Sequence, residues 1–503
     1  MRRRIAICVP VILVALGIVA TVSSANVDRS SAASSLVIAI PLEPATLDVQ
    51  LNSTAVNSPA LVNIYETLTK LDRTSKLQPS LALSWKNLTR KTWRFNLRPG
   101  VTFQNGEKFT PAAAVFSIKR ALTPTSQNLA YYPTVSDAKV VPGANAIVVT
   151  TNSPDALLPQ QLSLLPMVPP KYVQQQPTQY LTYPIGTGPY VFDHWTQGQE
   201  FGLKANPHWW GGKARYQTFT IKIIPDTNVR AQALRAGEVQ FATVLDPTSA
   251  NQVPQYFAPA SNVVCLVRLN NTVGPFTDLK LRQAANYAIN RTQIIKGLFG
   301  KFGTVANGQA VTRASFGFDP ALRDYPYDTA KAKSLLQQSG YKNQPISIVG
   351  TSGHWAGDRN ILLAAVANLQ AAGFNVKANI VEYSVWRTEY FANPKPAASF
   401  ICTGDDGLTG FRPLANLAMP KGSQDAYVNQ TTARDIVLAQ GIVNDTARRK
   451  ALSTIWTRLK TDAFAVPIGS VDQLVGAQKN IDWNSPSHGL VYANDIITLK
   501  NNK

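Results

Sequence analysis

Hydrophobic and polar positions alternate along this chain with two periods. Leu36 to Ile40 is an unbroken apolar run of five, the pattern of a strand covered on both faces. Pro41 and Pro44 end it in a loop. Ala146 to Thr150, Phe219 to Ile224 and Asn375 to Val381 give further β-branched or alternating runs. Between such runs lie helices with readable ends. Thr110 stands as a capping hydroxyl before Pro111, and Val115, Ile118 and Leu122 supply one apolar face. Asp226 or Thr227 caps a helix through Val229, Ala233 and Leu234 that Gly237 stops. Asp328 caps another, with Ala332, Leu335 and Leu336 on one side and Gly340 at its end. Ile361 to Ala371 is an amphipathic helix closed by Gly373. The expected fold class is therefore α/β, in two or more lobes, because 503 residues exceed what one core usually serves.

The first residues change that picture by adding an export signal. Arg2, Arg3 and Arg4 precede an uncharged apolar run from Ile5 to Val22, and Ser23 and Ala25 fit a signal-peptidase site. A leader over 1–25 is expected. The run is also long enough to span a bilayer, so an uncleaved anchor stays open. Beyond it no apolar run is long enough to cross a membrane. Outside the leader the cysteines are Cys265 and Cys402, which can pair or stay as buried thiols.

Charge narrows the partners. Lys and Arg number 49 against 29 Asp and Glu, a formal net charge of +20. The basic residues are scattered singly or in pairs without a dense aromatic-laced stripe, so no nucleic-acid partner is expected. Candidate catalytic chemistry is sparse. There are four histidines, no HExxH, no GxSxG and no GxxxxGK[ST] phosphate loop. No catalytic residue, metal site or cofactor is expected.

Three blocks carry specific internal spacing. Thr92-Trp-Arg-Phe-Asn-Leu-Arg-Pro-Gly-Val-Thr-Phe103 reads as a strand with inward Trp93, Phe95 and Leu97. A Pro-Gly turn reverses it into a second strand that ends at Asn105-Gly106. Pro184-Ile-Gly-Thr-Gly-Pro-Tyr190 and Asn206-Pro-His-Trp-Trp-Gly-Gly-Lys213 read as fold-defining turns. With Arg282 to Arg291 and Tyr327 to Leu336, these blocks resemble, in order and wording, the extracellular solute-binding proteins of peptide and nickel ABC importers.

That resemblance implies a two-lobed, periplasmic-binding-protein-like fold with a hinge. Lobe I would take 36–68, 184–268 and 470–503, a subdomain over 69–183 would be inserted in it, and lobe II would be 269–469. It also implies a monomeric receptor, in the periplasm or at the outer face of the cytoplasmic membrane. The receptor would take a peptide or similar small solute to a membrane permease driven by a separate ATPase. Peptide-binding members usually hold the ligand amine with an Asp in a Thr-Gly-Asp loop, which places Asp405 at that position; the acidic residue and Pro expected after it are replaced by Leu408 and Thr409. Other expected cleft residues are Trp355, in Ser352-Gly-His-Trp-Ala-Gly357, Tyr383 and Trp386 after a strand, and Thr54 in the loop after the first strand. A non-peptide solute (an oligosaccharide or a metal chelate) and a secreted hydrolase remain as alternatives.

Overall fold

The structure is a computed structural model. It describes residues 35–44, 46–51, 58–123, 126, 132, 134–420, 426–484 and 488–499. The expected leader and Thr54 lie outside the described residues.

Two sheets organise the chain. In the first, seven strands lie in the order Gln255–Phe257, Leu474–Ala477, Phe241–Leu245, Ser35–Ile40, Thr218–Ile223, Glu200–Ala205, Tyr190–Thr196. The apolar run predicted first, Ser35–Ile40, sits between two parallel partners, which is why it needs apolar residues on both faces. The second sheet has six strands in the order Gly303–Val305, Ala465–Val471, Val263–Leu269, Ala398–Gly404, Ile346–Thr351, Val376–Val381. Its alternation builds two cores. Cys265, Val267 and Leu269 pack into one buried cluster with Ile348 and Phe400. Leu266, Val349 and Ile401 turn the other way, into a cluster with Trp386 and Trp456.

The chain crosses between the sheets twice, after Gln255–Phe257 and after Ala465–Val471. The crossings touch: the Gln473 side chain donates to Asn262 Oδ1 at 3.3 Å and its backbone N–H to the Pro259 carbonyl at 3.3 Å. Val263–Leu269 pairs with Ala398–Gly404 and Ala465–Val471 and so belongs to the second sheet.

The subdomain carries a four-stranded sheet, Ala82–Thr89, Thr92–Leu97, Ala146–Thr151, Val135–Val140. Here the expected hairpin is corrected. Thr92–Leu97 is central, hydrogen-bonded to Ala82–Thr89 on one side and Ala146–Thr151 on the other. No edge is left for the segment after Pro99-Gly100, which instead closes on itself around Asn105-Gly106 through a single Thr102–Lys108 bridge. The inward face agrees with the expectation at Phe95 and Leu97, which are buried.

The glycine-rich and tryptophan-rich blocks converge on one half-buried carboxylate, that of Glu66. Glu66 accepts from Trp210 Nε1 at 2.6 Å, Trp209 Nε1 at 3.2 Å and Thr187 Oγ1 at 2.8 Å. Burial pushes its carboxyl up. Gly186 and Gly188 pass so close to the neighbouring backbone that a Cβ would stand 2.1 Å and 2.6 Å from the Ile64 carbonyl oxygen. These residues shape the first lobe and do not line the cavity between the lobes.

The subdomain also grips the second lobe. Asp155, buried, accepts from Gln440 Nε2 at 2.9 Å, and the Ala156 N–H donates to the Gln440 carbonyl at 3.0 Å. Leu157 is buried within the second lobe's cluster around Trp456. Gln160 Nε2 donates to the Gly407 carbonyl at 2.6 Å.

Candidate functional site

Three strands of the second sheet, Ile346–Thr351, Val376–Val381 and Ala398–Gly404, run parallel. Their carboxyl ends therefore share one edge, where open α/β sheets place ligands. The loops leaving that edge carry Trp355, Tyr383, Trp386 and Asp405, so four of the five expected site residues gather at one end of the sheet.

The first loop is built by Asp358. Its carboxylate is buried and accepts from the backbone N–H groups of Gly353, His354 and Trp355, each at 3.0 Å. A stretch that reads as flexible from its glycines is thus tied to the start of the helix Asp358–Ala371. The second loop turns at once into the helix Tyr383–Tyr390, whose first N–H groups are met by the Glu382 side chain accepting from Ser384 at 2.7 Å.

Together these loops stack aromatic rings in a column. His354 lies face to face on Tyr383 with centroids 3.8 Å apart, Tyr383 is stacked against Trp386 at 5.5 Å, and Trp386 against Tyr390 at 4.6 Å. Trp355 meets Trp386 edge-on at 5.4 Å. At the inner end Arg268 sits 3.9 Å over Tyr390. Trp386 is 2% exposed, which makes it core. Burial, and then the charge of Arg387, bring the His354 imidazole down to about 4, so it is neutral at neutral pH.

The outer end of the column opens on a cavity of about 550 Å³ between the lobes. The second lobe contributes His354, Tyr383, Ser384 and Arg387; the first lobe contributes Glu43, Val244, Trp483 and Val491; Gln473 comes from the crossing. Arg387 and His354 were missed as site residues in the sequence. The readable signal for Arg387 was its spacing of four from Tyr383 on a helix, which puts the two on one face. Glu43 is already engaged, accepting from Trp195 Nε1 at 2.6 Å and the Gly198 N–H at 2.9 Å. Val244 holds a left-handed backbone, φ 53°, at a register shift in its strand. The buried guanidinium of Arg230 fixes that bend by donating to the Thr243 and Val244 carbonyls.

Asp405 stands apart from this cavity. It is fully buried, and its carboxylate accepts from the Gly410 N–H at 2.7 Å and the Thr409 N–H at 3.2 Å. Burial pushes its carboxyl up. Its neighbour Asp406 pairs with Arg412. The Asp405 carboxylate is thereby engaged by backbone groups of its own loop. Among the described residues no cluster of His, Cys, Asp and Glu is arranged to hold a metal ion, and no helix is long and apolar enough to cross a membrane.

Two sheets joined by two crossings, with a cavity between them at the strands' carboxyl ends, define a two-lobed binding-protein fold. The chain belongs to the bacterial extracellular solute-binding proteins, family 5, whose model matches residues 76–423. The glutathione-binding protein GsiB of Escherichia coli (strain K12) is 30% identical over 342 residues, 66% of this chain and 66% of that protein. The alignment thus spans just under two thirds of that relative. GsiB of Salmonella typhimurium is 28% identical over 379 residues, 73% of this chain and 72% of that one. The fold matches the periplasmic binding protein DppA of Helicobacter pylori in complex with the peptide STSA, with a TM-score of 0.84, 21% identity, and 93% and 98% of the two chains covered. AgaA of A. tumefaciens R10 in complex with agropinic acid gives 0.84 at 20% identity, covering 93% and 99%.

Proposed function

We propose that this protein is the substrate receptor of an ABC importer, closing its two lobes around a peptide or similar small solute and presenting it to a membrane permease powered by a separate ATPase. The observation that carries this reading is the cavity of about 550 Å³ walled by both lobes, within the size range of small-molecule sites. A ligand that touches both walls binds the closed form better and shifts the open–closed balance towards it. Tyr383 is the expected site residue that meets the ligand. The receptor works as a monomer outside the cytoplasm, in the periplasm or at the outer face of the membrane, and performs no catalysis. A disulfide between Cys265 and Cys402 agrees with an oxidising compartment. The relatives' glutathione and peptide ligands support a solute drawn from small peptides and peptide-like acids.

Native mass spectrometry of the purified protein tests the reading, because a tight ligand stabilises the folded form and survives purification. A bound peptide or peptide-like mass is expected. Steady turnover of generic peptide, ester or glycoside substrates would overturn the receptor assignment. Sequencing the mature N-terminus separates a cleaved leader from a retained anchor.

A further inference from the structure

If the protein is a receptor, as proposed above, the chemistry of its cavity narrows the solute class. Among the described residues that line it, Arg387 is the basic side chain and Glu43 the acidic one. Both carboxylate oxygens of Glu43 accept hydrogen bonds from the first lobe, which ties that group to the wall. Arg387 lies 6.0 Å over the Tyr383 ring, which sets its guanidinium beside the outer end of the aromatic column, at the cavity wall. Much of the remaining lining is apolar, including Leu42, Pro59, Val244, Val475 and Trp483. Asp405, the carboxylate that would hold a free amine, lies outside the lining and is engaged by its own loop.

We propose that the cavity takes an organic acid without a free amine, its carboxylate paired with the Arg387 guanidinium and its apolar body packed against Tyr383, Val244 and Trp483. A guanidinium fits a carboxylate in a charge-assisted, often bidentate pair. An ammonium, by contrast, would meet in the described lining one carboxylate, Glu43, whose two oxygens already each accept a hydrogen bond from the first lobe. Arg387 is thus the specificity-determining residue of the second lobe.

The test uses the purified full chain and three probes: N-acetyl-Leu-Phe, its C-terminal amide, and unblocked Leu-Phe. Binding is followed by tryptophan fluorescence and by the thermal midpoint. The acid is expected to bind about tenfold or more tightly than the amide, the scale of one charge-assisted hydrogen bond. Acetylation is expected not to weaken binding. Arg387→Gln is expected to level acid and amide, while Arg387→Lys keeps part of the preference; the unliganded melting of each variant reports its fold. Equal binding of acid and amide by the wild type overturns the proposal. So does an acid preference that survives in Arg387→Gln, tighter binding of unblocked Leu-Phe, or no binding of any probe. The receptor reading fails separately, if the purified protein carries no solute and a broad panel of peptides and small solutes leaves its melting unchanged.

Discussion

Glu66 shows how much of the first lobe depends on one side chain. Two indole N–H groups and a threonine hydroxyl end on its carboxylate. Glu66→Leu keeps the volume but leaves those donors unpaired, so a loss of about 3 kcal/mol is expected in a urea titration. His354 gives a pH prediction. Its folded value of about 4 lies below the ordinary 6.5. Between those values the unfolded chain takes up a proton that the folded protein excludes. Stability from this residue is complete above pH 6.5 and lost as pH falls towards 4, by about 3 kcal/mol at most. Asp472 at the crossing, pushed up to about 6 by burial, runs in the opposite sense and cancels in a comparison with His354→Phe. That variant keeps a ring against Tyr383, and its melting temperature should fall less than the wild type's between pH 6.5 and 4. At this scale the sequence was legible where a residue's role is local. Asp405 could be placed in its loop, but the burial that closes its carboxylate depends on chain from outside it.

Elements were legible where both ends of a contact lie within one turn. Thr110, Asp226 and Asp328 cap their helices as expected, accepting from Ala113, from Asn228 and Val229, and from Lys331. The pairing of Thr92–Leu97 with Ala146–Thr151 was not, because that partner lies some 50 residues away, and the Pro-Gly turn fits a hairpin that the sheet has no edge to accept. The cysteines illustrate the same limit. Cys265 and Cys402 are 137 residues apart, and only the antiparallel register of their two strands sets them opposite each other. Their bond ties the strand entering the second lobe to the strand that ends at the Thr-Gly-Asp loop. Replacing both by Ala removes a cross-link over a long loop and is expected to cost about 4–5 kcal/mol, read from the urea midpoint of variant against oxidised wild type.

Across the whole molecule, the two-lobed plan was legible through the order of its blocks, whereas the contact between subdomain and second lobe was not. Asp155 and Gln440 have no sequence signal, since each looks like an ordinary polar residue near the end of an element. Their pairing joins the lobes outside the lining of the cavity between them. Gln440→Ala removes a donor from a buried carboxylate and should speed ligand release about tenfold in stopped-flow displacement, with a smaller change in association.

That grip between Asp155, Leu157 and Gln440 would make a clock. If it opens before a solute can leave, it acts whatever the solute touches inside. Solutes of different affinity would then share one ceiling on their departure rate, and the residence time available to the transporter would be written largely into the subdomain.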